Sequence, residues 1–289
     1  MARLVYLGTP EVGVPPLRAL AAAGHEIVLV VSQPDRRRGR GAELVPAPVK
    51  RAATELGLPV SDRVDDVLGL GAELGVVVAF GRLIRPHVLA EVPMVNLHFS
   101  LLPRWRGAAP VERALLAGDE VTGVCLMELE EGLDTGPVYE CAELPITDDD
   151  TLESLRSRLV DVGTEMLVRR LASGRVSLGT PRAQEGEPTY AAKLAPAELR
   201  IDWSRPAREL ARLVRLGSAW TSVGGRRLRV LAAAAEPGGA GPGVADGTAV
   251  GTGDGVLRLV RVQPEGKGAM AAEDWARGAR LAPGAVLGE

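Results

Sequence analysis

Two rhythms of apolar and polar positions run through the first half of the chain. Short segments that are apolar almost throughout stand at Arg3–Leu7 (RLVYL), at 25–31 (HEIVLVV) and at 75–80 (GVVVAF). They have strand length and lack a polar face, as parallel strands covered on both sides do. Between them lie stretches with helical spacing: Leu17–Ala23, stopped by Gly24, then 47–56 and a short one at about 86–91. The run MVNLHFS at 94–100 is a further strand, followed by a helix over 108–117. This alternation predicts an α/β fold with a Rossmann-like, doubly wound, mainly parallel sheet.

After Gly118 the order changes. VTGVCLMEL (121–129) and PVYECAELPI (137–146) read as two strands around the loop EEGLDTG, and a long helix covers 151–173. Residues 174–195 carry Gly and Pro with little periodicity and read as a connector. An amphipathic helix at 206–216 opens a second region, in which RRLRVLAA, TAVGTG and GVLRLVRVQP alternate with glycine-rich turns. That pattern predicts a small OB-like β-barrel, with 236–247 (EPGGAGPGVADG) as a flexible loop. The expected division is a first domain over 1–189, a linker over 190–204 and a second domain over 205–289.

A chain of 289 residues has room for two such domains. Its net charge of −3 gives no global case for nucleic-acid binding. The charge is uneven, however: residues 196–289 hold 13 basic and 10 acidic side chains, and the remainder carries a net −6. The opening MARLVYLGTPEV is too short an apolar segment for a signal peptide, and no run approaches the ~18 apolar residues of a membrane span. The expectation is a cytoplasmic, monomeric protein without membrane association. Two cysteines, Cys125 and Cys141, and three histidines form no CxxC or other zinc spacing, so no metal is expected. Both cysteines read as core residues, and no disulfide is expected in a reducing compartment.

Candidate chemistry concentrates at VNLHFSLLPRWRG (95–107). Side chains alternate along a strand, so Asn96 and His98 share one face while Val95, Leu97 and Phe99 point into apolar packing. The pair lies near the carboxyl end of its strand, where open α/β sheets place ligands. Neutral imidazole can move a proton near pH 7, and an Asn N–H can stabilise an oxyanion. Taken alone, the pair also fits a hydrogen-bonded strand histidine beside a loop-forming asparagine. Asp134, in the turn between Gly132 and Gly136, could orient His98 and favour its imidazolium. Alone it equally fits a solvated turn. The DTG string resembles that of aspartic proteases, but the α/β pattern around it argues against them. In DRRRGRG (35–41), Arg36, Arg37, Arg38 and Arg40 could contact phosphates, or form a solvated charge run. Gly8-Thr9-Pro10 lacks the GxGxxG spacing, so no nucleotide cofactor is indicated.

In combination these pieces are specific. Asn96-x-His98, SLLPRWRG at 100–107 and GLDTG at 132–136 together resemble the folate-dependent formyltransferase superfamily. Within it the chain is most similar to the branch acting on methionyl-initiator-tRNA. That similarity rests on GTPE near the start, SQPDRRRGRG (32–41), PAPVK (46–50), SLLPRWRGAAPVERALLAGD (100–119), TYAAKL (189–194), RIDWS (200–204) and VQPEGKGAMAAEDWARG (262–278). It covers nearly the whole chain.

The resemblance implies formyl transfer from 10-formyltetrahydrofolate, as co-substrate, to the α-amino group of methionine on initiator tRNA, without a metal. It implies His98 as acid/base, Asn96 as the oxyanion donor and Asp134 as the group that holds His98. A folate site would be formed by Phe80, Gly81, Leu83, Ile84, Ser100, Leu101, Leu102, Pro103, Gly132 and Leu133. The tRNA acceptor end would meet Arg36, Arg37, Arg38 and above all Arg40. The chain departs from the family pattern at Ala42-Glu43, where a Lys pair is usual, and at Phe99, where Gly is common. It also departs in a shortened 61–74 segment and at Ala219-Trp220-Thr221. Two other readings use the same residues: a formyltransferase for an amino sugar or small amine, and a non-catalytic tRNA-binding protein. Intact Asn96, His98 and Asp134 speak for the enzyme, and the arginine loop with the basic second domain speaks for tRNA.

Overall fold

The computed structural model describes residues 1–38, 43–282 and 284–289. The chain divides into two compact units. The first comprises Met1–Pro110, Val121–Pro145 and Arg156–Ala192, and the second Val111–Glu120, Ile146–Leu155 and Lys193–Glu289.

The first unit is built on a seven-stranded sheet. In chain order its elements are β1 (Arg3–Gly8), α1 (Val14–Ala22), β2 (Glu26–Val31), the short β3 (Arg36–Arg38) and β4 (Glu43–Val45), and α2 (Pro48–Glu55). There follow β5 (Val60–Ser61), β6 (Leu74–Val78), α3 (Pro86–Glu91), β7 (Met94–His98) and the two-residue β8 (Arg106–Gly107). After α4 (Pro110–Ala117), which falls in the second unit from Val111 on, come β9 (Val121–Glu128), β10 (Val138–Pro145), α5 (Leu152–Arg170), whose first residues to Leu155 also fall there, and the short β11 (Tyr190–Ala191). The sheet order is β10-β9-β7-β6-β1-β2-β5. The five strands from β7 to β5 are parallel, and β9 and β10 add an antiparallel edge.

All five residues of β6 are buried, which explains why its sequence has no polar face. Leu4, Tyr6, Val76, Val78, Val95 and Leu97 pack on one side of the sheet with Leu17, Leu20, Val49 and Met166. Val5, Leu7, Val77 and Met94 pack on the other with Phe80, Ile84 and Val88. Phe99, partly buried, packs against the first of these clusters. The order reverses between β1 and β6: the chain leaves β1 outward through β2 and β5, then returns to β6. A ligand crevice belongs at such a switch point, outside the carboxyl ends of the strands.

Three expectations need correction. Cys125 and Cys141 form a disulfide. Antiparallel pairing sets them directly opposite each other, with Cα atoms 4.1 Å apart. Cys125 is buried as expected, but Cys141 is exposed rather than in the core. The segment 35–41 is not simply a loop, because Arg36–Arg38 pair antiparallel with Glu43–Val45. At its base Lys50 Nζ bridges both oxygens of Asp35, at 2.8 and 2.9 Å. Arg40 lies outside the described residues. Lastly, the stretch 236–247 is strand at both ends: Glu236 closes one strand, and Val244–Asp246 form another.

The second unit contains α6 (Ala207–Arg215), β12 (Trp220–Val223), β13 (Arg226–Glu236), β14 (Val244–Asp246), β15 (Ala249–Gly251), β16 (Val256–Pro264), β17 (Met270–Ala271), α7 (Ala272–Ala279) and β18 (Ala285–Val286). Its strands pair antiparallel in the order β12-β13-β16-β15-β14-β18, with β17 on β16, giving a nearly closed barrel-like sheet. Leu210, Leu213 and Val214 form the buried stripe of α6. The Arg227 guanidinium lies 4.4 Å from the centre of the Trp220 ring.

A pH-dependent contribution to stability arises on β10. Glu140 accepts hydrogen bonds from Arg169 and Arg170 of α5. Arg169 first, then Arg170, hold its carboxyl below the ordinary 4.5. A depressed folded-state value stabilises the protein above the unfolded value and is lost as pH falls through the folded one. We therefore expect Glu140→Gln to lower stability near neutrality by about 0.5–1 kcal/mol, because Arg169 is largely exposed. The difference from wild type should shrink as pH falls below the ordinary carboxylate range and through the lowered folded value, as read by denaturant unfolding across pH.

Candidate active site

Asn96 and His98 occupy the carboxyl-terminal half of β7. The register sets Leu97 beside Val78 on one side and His98 opposite Cys125 on the other. His98 is buried, on the face of β7 that also carries Met94. Its Nε2 lies 2.9 Å from the carbonyl oxygen of Trp105. A carbonyl only accepts, so Nε2 carries the proton and Nδ1 is the basic nitrogen of the neutral ring. Nδ1 faces Asp134 Oδ2 at 3.6 Å, beyond a direct hydrogen bond but well within electrostatic reach. The Asn96 side chain is half-buried and, among the described residues, makes no hydrogen bond. Its N–H groups are thus available to an acceptor.

Two loops bring these partners together. The loop after β7 folds on itself through Ser100 Oγ, which donates to the Arg104 carbonyl at 2.7 Å. Trp105 adopts a left-handed backbone (φ 64°), and its N–H donates to Thr189 Oγ1 at 2.9 Å. This orientation aims its carbonyl at His98. The loop between β9 and β10 carries Asp134, also left-handed at φ 51°. Asp134 Oδ2 accepts the Gly107 N–H at 2.7 Å, which ties the two loops. Glycine is required at 136, where a Cβ would lie 2.0 Å from the Glu128 carbonyl oxygen. Ala79, directly after β6, is left-handed as well (φ 47°). Such conformations cost energy outside glycine and cluster where a fold constrains a site.

The remaining residues of interest take two kinds of place. Phe80 and Ile84 are buried, and the Phe80 carbonyl accepts from Thr9 Oγ1 (3.0 Å) and Gln33 Nε2 (2.9 Å). These bonds join the turns after β1, β2 and β6 across the switch point. Ser100 is fully buried, with its hydroxyl turned inward. Leu101, Leu102 and Pro103 are half-buried, and Gly81 and Gly132 are exposed. Leu83 and Leu133 stand 83% and 54% exposed, conspicuous for leucines. Leu83 also borders a polar cleft of about 240 Å³ lined by Asp62, Arg63, Asp65, Arg82 and Arg85. Among the described residues, no group of three or more His, Cys, Asp or Glu is placed to hold a metal. None of their helices is long and apolar enough to cross a membrane. The reading of 174–195 as a mere connector missed Thr189 and Gln184, both of which hold the site loops. Thr189 opens TYAAKL, a motif of the resemblance that carried no role, and no local pattern marks out Gln184.

With this geometry in view, the relatives of the chain are informative. The family described as formyl transferase matches residues 2–171, and the formyl transferase C-terminal domain matches 193–280. A methionyl-tRNA formyltransferase of Jannaschia sp. (strain CCS1) is 44% identical over 99% of both chains. One from Thermus thermophilus is 45% identical over 99% of both. Among solved structures, the methionyl-tRNA formyltransferase of Clostridium thermocellum superposes with a TM-score of 0.61 at 14% identity, over 82% of this chain and 94% of that one. An N-formyltransferase of Helicobacter canadensis, in complex with folinic acid and dTDP-3-aminofucose, superposes with a TM-score of 0.70 at 15% identity, over 91% of this chain and all of that one. These distant structures share the fold; the near-full-length relatives decide the family. The chain belongs to the methionyl-tRNA formyltransferase family.

Proposed function

We propose that the protein formylates methionyl-initiator-tRNA, using 10-formyltetrahydrofolate as co-substrate, with Asn96, His98 and Asp134 as its working residues. The observation that carries this reading is the meeting of His98 with Asp134 in a chain 44–45% identical, end to end, to methionyl-tRNA formyltransferases. When bound, the folate supplies a formyl group already activated on nitrogen, so the protein needs to position, stabilise charge and move protons. His98 accepts the proton of the attacking amine at Nδ1, the ring nitrogen not engaged by a carbonyl, and delivers a proton to N10 of the folate as the bond from N10 to the formyl carbon breaks. Asp134 stabilises the imidazolium in between. Asn96 donates an N–H to the formyl oxygen as negative charge develops there.

The residues at the crevice suit a folate. Leu83 and Leu133 are apolar side chains left open to water, which a flat aromatic ring system would cover. Phe80, Gly81 and Ile84 supply backbone around it, Gly132 leaves room, and the Ser100–Pro103 loop closes the wall. Arg36, Arg37, Arg38 and Arg40 contact the phosphates at the acceptor end of the tRNA, and the barrel-like unit supplies further basic surface.

An amino-sugar acceptor would use the same core, so the test is acceptor choice. Purified protein with 10-formyltetrahydrofolate is expected to formylate charged initiator tRNA and to leave nucleotide-linked amino sugars unmodified. Formylation of the sugar with none of the tRNA would refute the assignment.

A further inference from the structure

We infer that Gln184 is a positioning residue for formyl transfer, acting with Arg106 as a strut that fixes Asp134 against His98. The inference rests on the roles proposed above for His98 and Asp134. Gln184 Nε2 donates to two carbonyl oxygens of the β9–β10 loop, those of Asp134 and Gly136, both at 2.8 Å. Its Oε1 accepts from Arg106 Nε at 3.0 Å and from a terminal Arg106 nitrogen at 2.7 Å. The amide orientation is unambiguous, because carbonyls only accept and a guanidinium only donates. One side chain thereby spends both its N–H groups on the loop that carries Asp134. It spends its oxygen on the residue between Trp105, whose carbonyl holds His98, and Gly107, whose N–H holds the Asp134 carboxylate.

The strut addresses a specific weakness. Asp134 sits in a left-handed turn of GLDTG, beside the exposed Leu133 and Thr135, and its carboxylate is 3.6 Å from Nδ1. No direct bond to His98 keeps it there. Its position comes from the Gly107 N–H that its carboxylate accepts and from its own backbone, and Gln184 pins that backbone on either side of Thr135. The strand pair β8–β11 holds the other partner, with Arg106 N donating to the Thr189 carbonyl at 2.8 Å and both Ala108 and Ala109 N–H groups directed at the Ala191 carbonyl. The connector 174–195 is therefore part of the catalytic frame. Partners that orient the ligands of a metal site cost about 10–100-fold in affinity or activity when lost, and the same order is expected of a strut that fixes Asp134.

The test compares Gln184→Ala, Gln184→Glu, Asp134→Asn and the double variant Gln184→Ala/Asp134→Asn in steady-state formylation, with thermal melts of each. Gln184→Glu keeps an acceptor for Arg106 but opposes a carboxylate to two carbonyl oxygens, so it separates positioning from simple loss of packing. We expect both Gln184 variants to lose about 10–100-fold in kcat, with KM for tRNA and folate within about 3-fold of wild type. In the Asp134→Asn background, Gln184→Ala should cost under about 3-fold, because the two changes act on one element. An unchanged kcat, a loss confined to KM, a loss explained by a lowered melting temperature or full additivity with Asp134→Asn would each overturn the inference. His98→Ala, assayed in parallel, keeps the two levels apart: wild-type activity in that variant refutes the underlying mechanism, whatever Gln184 does.

Discussion

His98→Ala is expected to lower kcat/KM for formylation of methionyl-tRNA by about 10²–10⁴-fold, the range spanned by positioned general acid–base groups. The loss should fall on kcat, with little change in KM for tRNA, since His98 is buried at the end of β7 and presents no surface to a large ligand. Folding should survive. Alanine removes one hydrogen bond, that from Nε2 to the Trp105 carbonyl, whose oxygen also lies 3.4 Å from Ser100 Oγ. The net worth of such a bond is about 1 kcal/mol. Steady-state kinetics with a thermal melt of the same preparation check both halves of this expectation. A variant that is folded and active would remove His98 from the chemistry.

Asn96→Ala carries the second large effect. Removing one oxyanion donor costs about 10²–10³-fold in kcat in acyl-transfer enzymes. The same range is expected here, because no described residue satisfies the Asn96 amide in the free protein. For the same reason the variant should be as stable as wild type, or slightly more so: no internal bond is lost and a half-buried polar group is removed. A drop in melting temperature of many degrees would show that the amide has a structural task instead. Asn96→Asp is the informative companion, since it keeps shape and loses the donor; it should be as slow as the alanine variant.

The parallel strands were legible because burial on both faces removes every polar position, as in LGVVV of β6, and few other structures tolerate that pattern. Strand alternation also put Asn96 and His98 on one side and Phe99 on the other, where it packs against the core. What could not be read was register. A shift between Val138 and Glu140 decides that Cys141, rather than a neighbour, opposes Cys125, and no feature of either strand announces it. The arginine segment was read as a loop because Asp35, Gly39 and Gly41 mask the short pairing of Arg36–Arg38 with Glu43–Val45. In the site, the sequence marked side chains able to do chemistry and was silent on those that hold them. Gln184 and Thr189 lie in a stretch without periodicity, and their partners stand far away along the chain. The Trp105 carbonyl is a backbone group, which residue identity does not reveal.

The central claim is that His98 and Asp134 form one working unit in formyl transfer to methionyl-tRNA. Single-turnover formylation by wild type, His98→Ala, Asp134→Asn and the double variant, with both substrates saturating, tests it most directly. If the two act as a unit, Asp134→Asn is slow, His98→Ala is slower, and the double variant is no slower than His98→Ala within about 3-fold. A double variant whose loss equals the product of the single losses would contradict the account, and so would a His98→Ala protein that formylates at the wild-type rate.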